Sequence, residues 1–144
     1  MVDKPDYNRQ VLVFEDVNAC NEQLTKELDK YLHKTVVLGL DCEWVSEERA
    51  DSTPVCPVAL VQLAFLSGRC FLVRLCRMNG SIPDKLKEIL EDKNILKAGV
   101  GIKEDAKKLS SCYGFVVQGC VDLRHVASRC RGYLQYCFGE EGAR

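Results

Sequence analysis

The stretch "VVLGLDCEWV", residues 36–45, decides how this chain is read. It has the apolar run of a buried strand, yet it carries two carboxylates, Asp41 and Glu43, separated only by Cys42. Successive side chains of an extended chain point to opposite faces. Val36, Leu38, Leu40, Cys42 and Trp44 therefore share one face, and Val37, Gly39, Asp41 and Glu43 share the other. The first face is continuously apolar. The second ends in two like charges beside a glycine that leaves open space. Paired carboxylates resist burial and need a cation, a proton or water to offset them. A divalent metal meets that need with hard oxygen ligands; the other reading is a strand that runs into solvent with both acids hydrated.

The flanking sequence reads as an α/β domain. "VLVF" (11–14) predicts a short strand, and Leu24, Leu28, Tyr31 and Leu32 follow the spacing of an amphipathic helix from about Val17 to His33. "VALVQLAFL" (58–66) and "CFLVRL" (70–75) are strand-like and separated by Ser67-Gly68-Arg69, so they predict an antiparallel hairpin. A helix is expected over 81–92, with Pro83 near its first turn and Leu86, Ile89 and Leu90 facing inward. A strand at 95–100, a helix ended by Gly114, a strand at 116–123 and a further helix from "RHVASRC" complete the order. Early hairpins followed by βαβ crossovers predict a mixed sheet with helices on its faces.

Composition is that of a single globular domain over residues 1–144: 47% hydrophobic, 28% charged and a net charge of −1. That balance argues against strong non-specific attraction to nucleic acid or membranes, though not against a local basic patch. Nine cysteines include no Cys-x-x-Cys pair, and there are only two histidines, which excludes a zinc site of familiar spacing and a thiol-redox motif. The odd count and a polar, acid-containing start predict free thiols in an intracellular, reducing compartment and no secretory leader. No apolar run approaches the roughly 20 residues that a membrane span needs.

A third acid converges on the pair. In "AGVGIKEDAKKL" (98–109), Ile102, Ala106, Leu109 and Tyr113 form the inward stripe of a helix, and Asp105 lies at the border of that stripe. Gly99 and Gly101 would allow a tight turn and a close approach to a ligand. Taken alone, Asp105 is better explained by a solvated acid paired with Lys108 or favouring the helix N-terminus.

Five segments, "LGLDCEWV", "VALVQLAF", "FLVRL", "ILKAGVGIKEDAKKL" and "VDLRHVA", together resemble in order and spacing the DEDD 3′–5′ exonucleases of the Werner-syndrome type, from about Val11 to Ala127. That resemblance implies a ribonuclease-H-like fold with a central five-stranded mixed sheet. It implies two-metal hydrolysis with Mg²⁺ or Mn²⁺ on single-stranded or 3′-ended DNA or RNA, releasing nucleoside monophosphates. Asp41 and Glu43 would be the first catalytic motif, with Asp41 bridging both ions and Glu43 holding the water-activating ion. Asp105 would be the second motif, holding the other ion. A nuclear or mitochondrial location and a part in DNA repair go with the resemblance.

The family also requires a water-orienting Tyr and a fourth acid in a Tyr-x-x-x-Asp motif on a later helix. No tyrosine of this chain has Asp four residues on; the nearest mimic is Tyr136 with Glu140, interrupted by Gly139. The expectation is therefore a C-terminally incomplete domain with impaired hydrolysis and an uncovered sheet face open to self-association. The alternative is a non-catalytic ribonuclease-H-like module that binds nucleic acid or protein. Among accessory residues, Lys97, Lys103, Lys107 and Lys108 bracket Asp105. Lys103 is the candidate phosphate contact, while Lys107 and Lys108 read as a solvated helix face. Trp44 either stacks a base or packs in the core. The acidic loop 45–57 leaves the catalytic strand, Gln62 and Ala64 lie beside the site without assigned chemistry, and Asp122 reads as an N-cap.

Overall fold

Strand β2 (Val36–Trp44) lies inside a mixed sheet, and its alternation appears as buried Leu38, Leu40 and Cys42 against exposed Asp41 and Glu43. The structure is a computed structural model and describes residues 10–44 and 58–130. The other strands are β1 (Gln10–Phe14), β3 (Val58–Phe65), β4 (Arg69–Val73), β5 (Ile95–Gly99) and β6 (Cys120–Asp122). The helices are α1 (Val17–Asp29), α2 (Asp84–Glu91), α3 (Ile102–Tyr113) and α4 (Leu123–Arg129). The sheet runs β1-β4-β3-β2-β5-β6. The β2–β3 and β3–β4 pairs are antiparallel, and β1–β4, β2–β5 and β5–β6 are parallel. The expected hairpin forms, with Gly68 at φ 86° in its turn.

The sheet has six strands rather than the five of the resembled fold, because β1 joins β4 as an edge strand. Phe14 closes that edge by packing its ring 5.2 Å from Phe71. α1 starts at an Asp16 cap, which accepts from the Ala19 amide at 2.8 Å, but it ends at Asp29 and not near His33. Leu32 consequently lies outside the helical stripe and is exposed. β6 is also shorter than the predicted strand over 116–123. Gly119 enters it in the left-handed region (φ 67°), and a side chain there would strike the Ile95 carbonyl.

One face of the sheet and helices α1, α2 and α3 enclose a single core of Leu24, Leu38, Leu40, Leu63, Phe71, Leu86, Ile89, Ile102 and Leu109 with their neighbours. The opposite face carries Gly39, Asp41, Gln62, Ala64, Cys70, Leu72 and Ala98, which line an open cavity of about 380 Å³. A second cavity of about 270 Å³ lies further along toward β1, between Val13, Leu60, Leu72 and Arg74. Val13, which lines it, is exposed, as are Val11 and Leu66 elsewhere on the molecule. No disulfide joins the cysteines of the described residues. Among the described residues no helix is long and apolar enough to cross a membrane. The loop 45–57 and the Tyr136–Glu140 pair lie outside the described residues.

Gly99 sets how closely β5 approaches β2. A methyl there would sit 2.6 Å from the Leu40 carbonyl oxygen, one residue before Asp41. The close approach that glycine permits is thus between two strands and not toward a ligand. Gly99→Ala is expected to cost about 1–3 kcal/mol in urea denaturation, as overpacking against backbone does. A variant as stable as the parent would show that β2 and β5 can separate freely.

Candidate active site

Asp41 and Glu43 stand at the C-terminal end of β2, on the face opposite the core, as their spacing requires. β3 runs antiparallel beside them, pairing Gln62 with Asp41 and Leu60 with Glu43. Gln62 donates its Nε2–H to Asp41 Oδ2 at 3.4 Å. Gln62 gives Asp41 a neutral donor, which orients the carboxylate without cancelling its charge. Sequence reading assigned Gln62 no chemistry. The signal was present as the one polar break in "VALVQLAF", but the register that places it opposite Asp41 is a tertiary fact.

Asp105 arrives from the other side. Gly101, at φ 66°, turns the chain out of β5 into α3, and Ile102, Asp105 and Leu109 form the buried stripe of that helix. Asp105 is only 4% exposed, deeper than the border position its spacing suggested. Burial pushes its carboxyl up to about 6, reinforced by the charges of Asp41 and then Glu43 and Glu104, while Lys108 opposes the rise. Asp41, Glu43 and Asp105 therefore share one electrostatic field. They are not gathered into one ligand shell: among the described residues no three His, Cys, Asp or Glu side chains form a group that could hold a metal ion. Cys42 lies between them on the core side, and burial followed by the Asp105 and Asp41 charges raises its thiol far above the ordinary range. It acts as a small hydrophobe.

The neighbouring cations separate clearly. Lys97 is fully buried and donates to the carbonyls of Ile89 (2.9 Å) and Asp92 (2.7 Å), so it caps α2 and cannot meet a phosphate. Desolvation lowers its ammonium to about 8. Asp122 caps α4 as expected, accepting from the Arg124 amide, and holds the Arg124 guanidinium at 2.7 Å. Lys103 and Lys107 are exposed on α3. Lys108 is not merely solvated: its Nζ lies 3.2 Å from the centroid of the Trp44 ring. Trp44 itself is 40% exposed, because the β2–β3 register shifts between Glu43 and Trp44 and carries it out of the core.

The profile of a family described as 3′–5′ exonuclease matches residues 17–137. The human exonuclease 3′–5′ domain-containing protein 2 is 46% identical over 116 residues, covering 78% of this chain and 18% of that protein. The Drosophila melanogaster protein of the same name is 41% identical over 114 residues, covering 76% of this chain and 19% of that protein. The crystal structure of the EXD2 exonuclease domain soaked in Mg and GMP matches with a TM-score of 0.72 at 43% identity, over 90% of this chain and 63% of that one. This chain thus spans about a fifth of the length of these curated relatives.

The raised Asp105 carboxyl has a consequence for stability. Between pH 4 and 6 the folded chain holds a proton that the unfolded chain releases. The stability this confers is complete below about pH 4 and is lost as pH rises through about 6. Asp105→Asn is therefore expected to stabilise the fold by about 1–2 kcal/mol at pH 7.5 and to change little at pH 4, read by denaturant titration. Equal effects at both pH values would show that Asp105 is not charged against its neighbours.

Proposed function

The chain belongs to the 3′–5′ exonuclease family, and we propose that it hydrolyses single-stranded or 3′-ended DNA or RNA from the 3′ end with Mg²⁺ or Mn²⁺. The observation that carries this reading is the family match over residues 17–137 together with the placement of Asp41 and Glu43 at the end of β2 beside the buried Asp105 of α3, where burial and then the Asp41 charge push its carboxyl up to about 6. A structural acid would be paired or hydrated instead. The donor set fits a hard divalent cation, because all three side chains offer carboxylate oxygen and their repulsion is what such a cation relieves. Relatives of this domain were crystallised and soaked in Mg and Mn, which supports the same cofactors here.

Asp41, Glu43 and Asp105 would hold the ions. Bound there, a divalent ion polarises the phosphoryl oxygen and lowers the pKa of the attacking water. Gln62 donates to the Asp41 carboxylate from the neighbouring strand β3. Water oxygen bonds to phosphorus, the bond from phosphorus to the 3′ oxygen breaks, and that oxygen takes up a proton as the nucleoside monophosphate leaves. The open side of Asp41, along the cavity of about 380 Å³, gives the strand end access.

Two features bear on how well the chain does this alone. No Tyr-x-x-x-Asp occurs in the 144 residues, and the three acids are not drawn into one shell. Both support impaired hydrolysis by this chain in isolation. The second also favours an alternative reading, a non-catalytic module that binds nucleic acid or protein. The exposed apolar residues on the second sheet face support self-association through that face. A nuclear or mitochondrial setting and a part in DNA repair accompany the exonuclease reading.

The test uses 5′-labelled single strands with Mn²⁺. This chain should shorten them slowly from the 3′ end, and an added segment that supplies a Tyr-x-x-x-Asp helix should accelerate shortening by two or more orders of magnitude. Asp41→Ala, Glu43→Ala or Asp105→Ala should each lower the rate at least 100-fold. Shortening that persists in Asp41→Ala would sink the carboxylate assignment, and strand binding without shortening by either form would establish the non-catalytic module.

A further inference from the structure

Lys108 and Trp44 form a contact that the carboxylate site does not use. Lys108 lies one turn beyond Asp105 on α3, and its Nζ sits 3.2 Å from the Trp44 ring centroid. Trp44 directly follows Glu43 and is the chain's single tryptophan. An ammonium over an indole is held by the ring quadrupole. Such a partner fixes the position of the cation without neutralising it, unlike a carboxylate. Among the described residues Lys108 makes no ion pair; the pairs belong to other lysines and arginines.

The location gives that retained charge a use. Asp41, Glu43, Glu104 and Asp105 surround the site and repel a phosphodiester, and Lys108 is the cation whose field reaches Asp105. Lys97 is committed to two carbonyls inside the core, and Arg124 is committed to Asp122. Lys103 is exposed, and among the described residues no ion pair or hydrogen bond orders its side chain. We propose that Lys108, parked on the indole of Trp44, is the residue that binds a phosphate of the nucleic-acid strand whose 3′ end lies at Asp41 and Glu43. This rests on the exonuclease reading. Trp44 acts here as a positioning residue that stores the ammonium beside the site, and Lys108 moves from ring to phosphate when a strand arrives.

The single tryptophan makes the proposal testable without turnover. A twelve-nucleotide thymidine strand with phosphorothioate linkages at its 3′ end is titrated into the full chain, with EDTA and separately with Mn²⁺, across a KCl series. The expected result is a change in Trp44 emission on binding, as the ammonium leaves the ring. Lys108→Gln should weaken binding three- to tenfold, flatten the plot of log affinity against log salt by about 0.7, and abolish most of the emission change. Lys107→Gln should leave the slope as it is. Trp44→Phe, read by anisotropy of a labelled strand, should retain most of the affinity, and Trp44→Leu should lose part of it with the slope unchanged.

The inference is overturned if the parent binds the strand and Lys108→Gln keeps the parental slope. It is equally overturned if Lys107→Gln flattens the slope as much, since the helix face as a whole would then be responsible. A parent chain that binds no strand in either condition would refute the exonuclease reading and the inference with it. Binding that loses only the Lys108 contribution supports both.

Discussion

The period of two along β2 places the core and the acids on opposite sides of one strand, and the other elements take their positions from that division. Leu38, Leu40 and Cys42 anchor the core against α1, α2 and α3, while Asp41 and Glu43 stand on the far face at the end of the same strand. A register slip of one residue would bury both carboxylates and expose the apolar set. β3 and β5 lock the register from either side, through the antiparallel pairing at Asp41–Gln62 and the close approach of Gly99 to Leu40. The site is therefore as rigid as the sheet that carries it. α3 then delivers Asp105 from the core side, so the three acids lie on either side of the strand without closing into one ligand shell.

How this chain treats its other buried acids shows what is unusual about Asp105. Glu27 is completely buried, yet Lys30, Ser67 and Arg69 all donate to it, and it is held below the ordinary range despite desolvation. That hub ties α1 to the β3–β4 turn. Asp122 is held well below the ordinary range by hydrogen bonds from the Arg124 side chain and amide. Among the described residues Asp105 receives no such set of donors, and it is pushed up by burial and by three neighbouring carboxylates, Asp41, Glu43 and Glu104. A fold that satisfies its structural acids so fully has left this one facing like charges. That asymmetry supports the proposed role of Asp105.

Much of this was legible in the chain. The alternation in "VVLGLDCEWV" and the hairpin at Ser67-Gly68-Arg69 follow from local geometry, and local geometry survives folding. The Gly114 stop is equally local: it caps α3 at φ 71°. The errors came where long-range contacts decide. Leu32 fits a helical spacing, but the helix ends earlier at Asp29, and no spacing rule detects where tertiary support stops. Trp44 fits the apolar face until a register shift turns it outward. Lys97 appears beside Asp105 in the sequence and lies instead under α2, because alternation in β5 sends it to the core. Lys108 reads as surface charge until the β2 end brings an indole beneath it. Gln62 needed the strand register, which composition does not encode.

The cavity-lined sheet face and the acids at the end of β2 are connected by geometry. Asp41 and Gln62 lie on the rim of the cavity that continues over Gly39, Ala64, Cys70 and Leu72. Whatever covers that face, whether another segment or a second copy, removes water from the Asp41 side of the site. Desolvation strengthens every charge interaction there, which makes an uncompensated acid pair harder to hold and a bound cation more favourable. Burial of the apolar face and completion of the charge site would thus reinforce each other. Asp41 and Glu43 are exposed to solvent, where water would compete for the same lone pairs that a metal would use. The exposed face is accordingly an electrostatic constraint on the proposed chemistry.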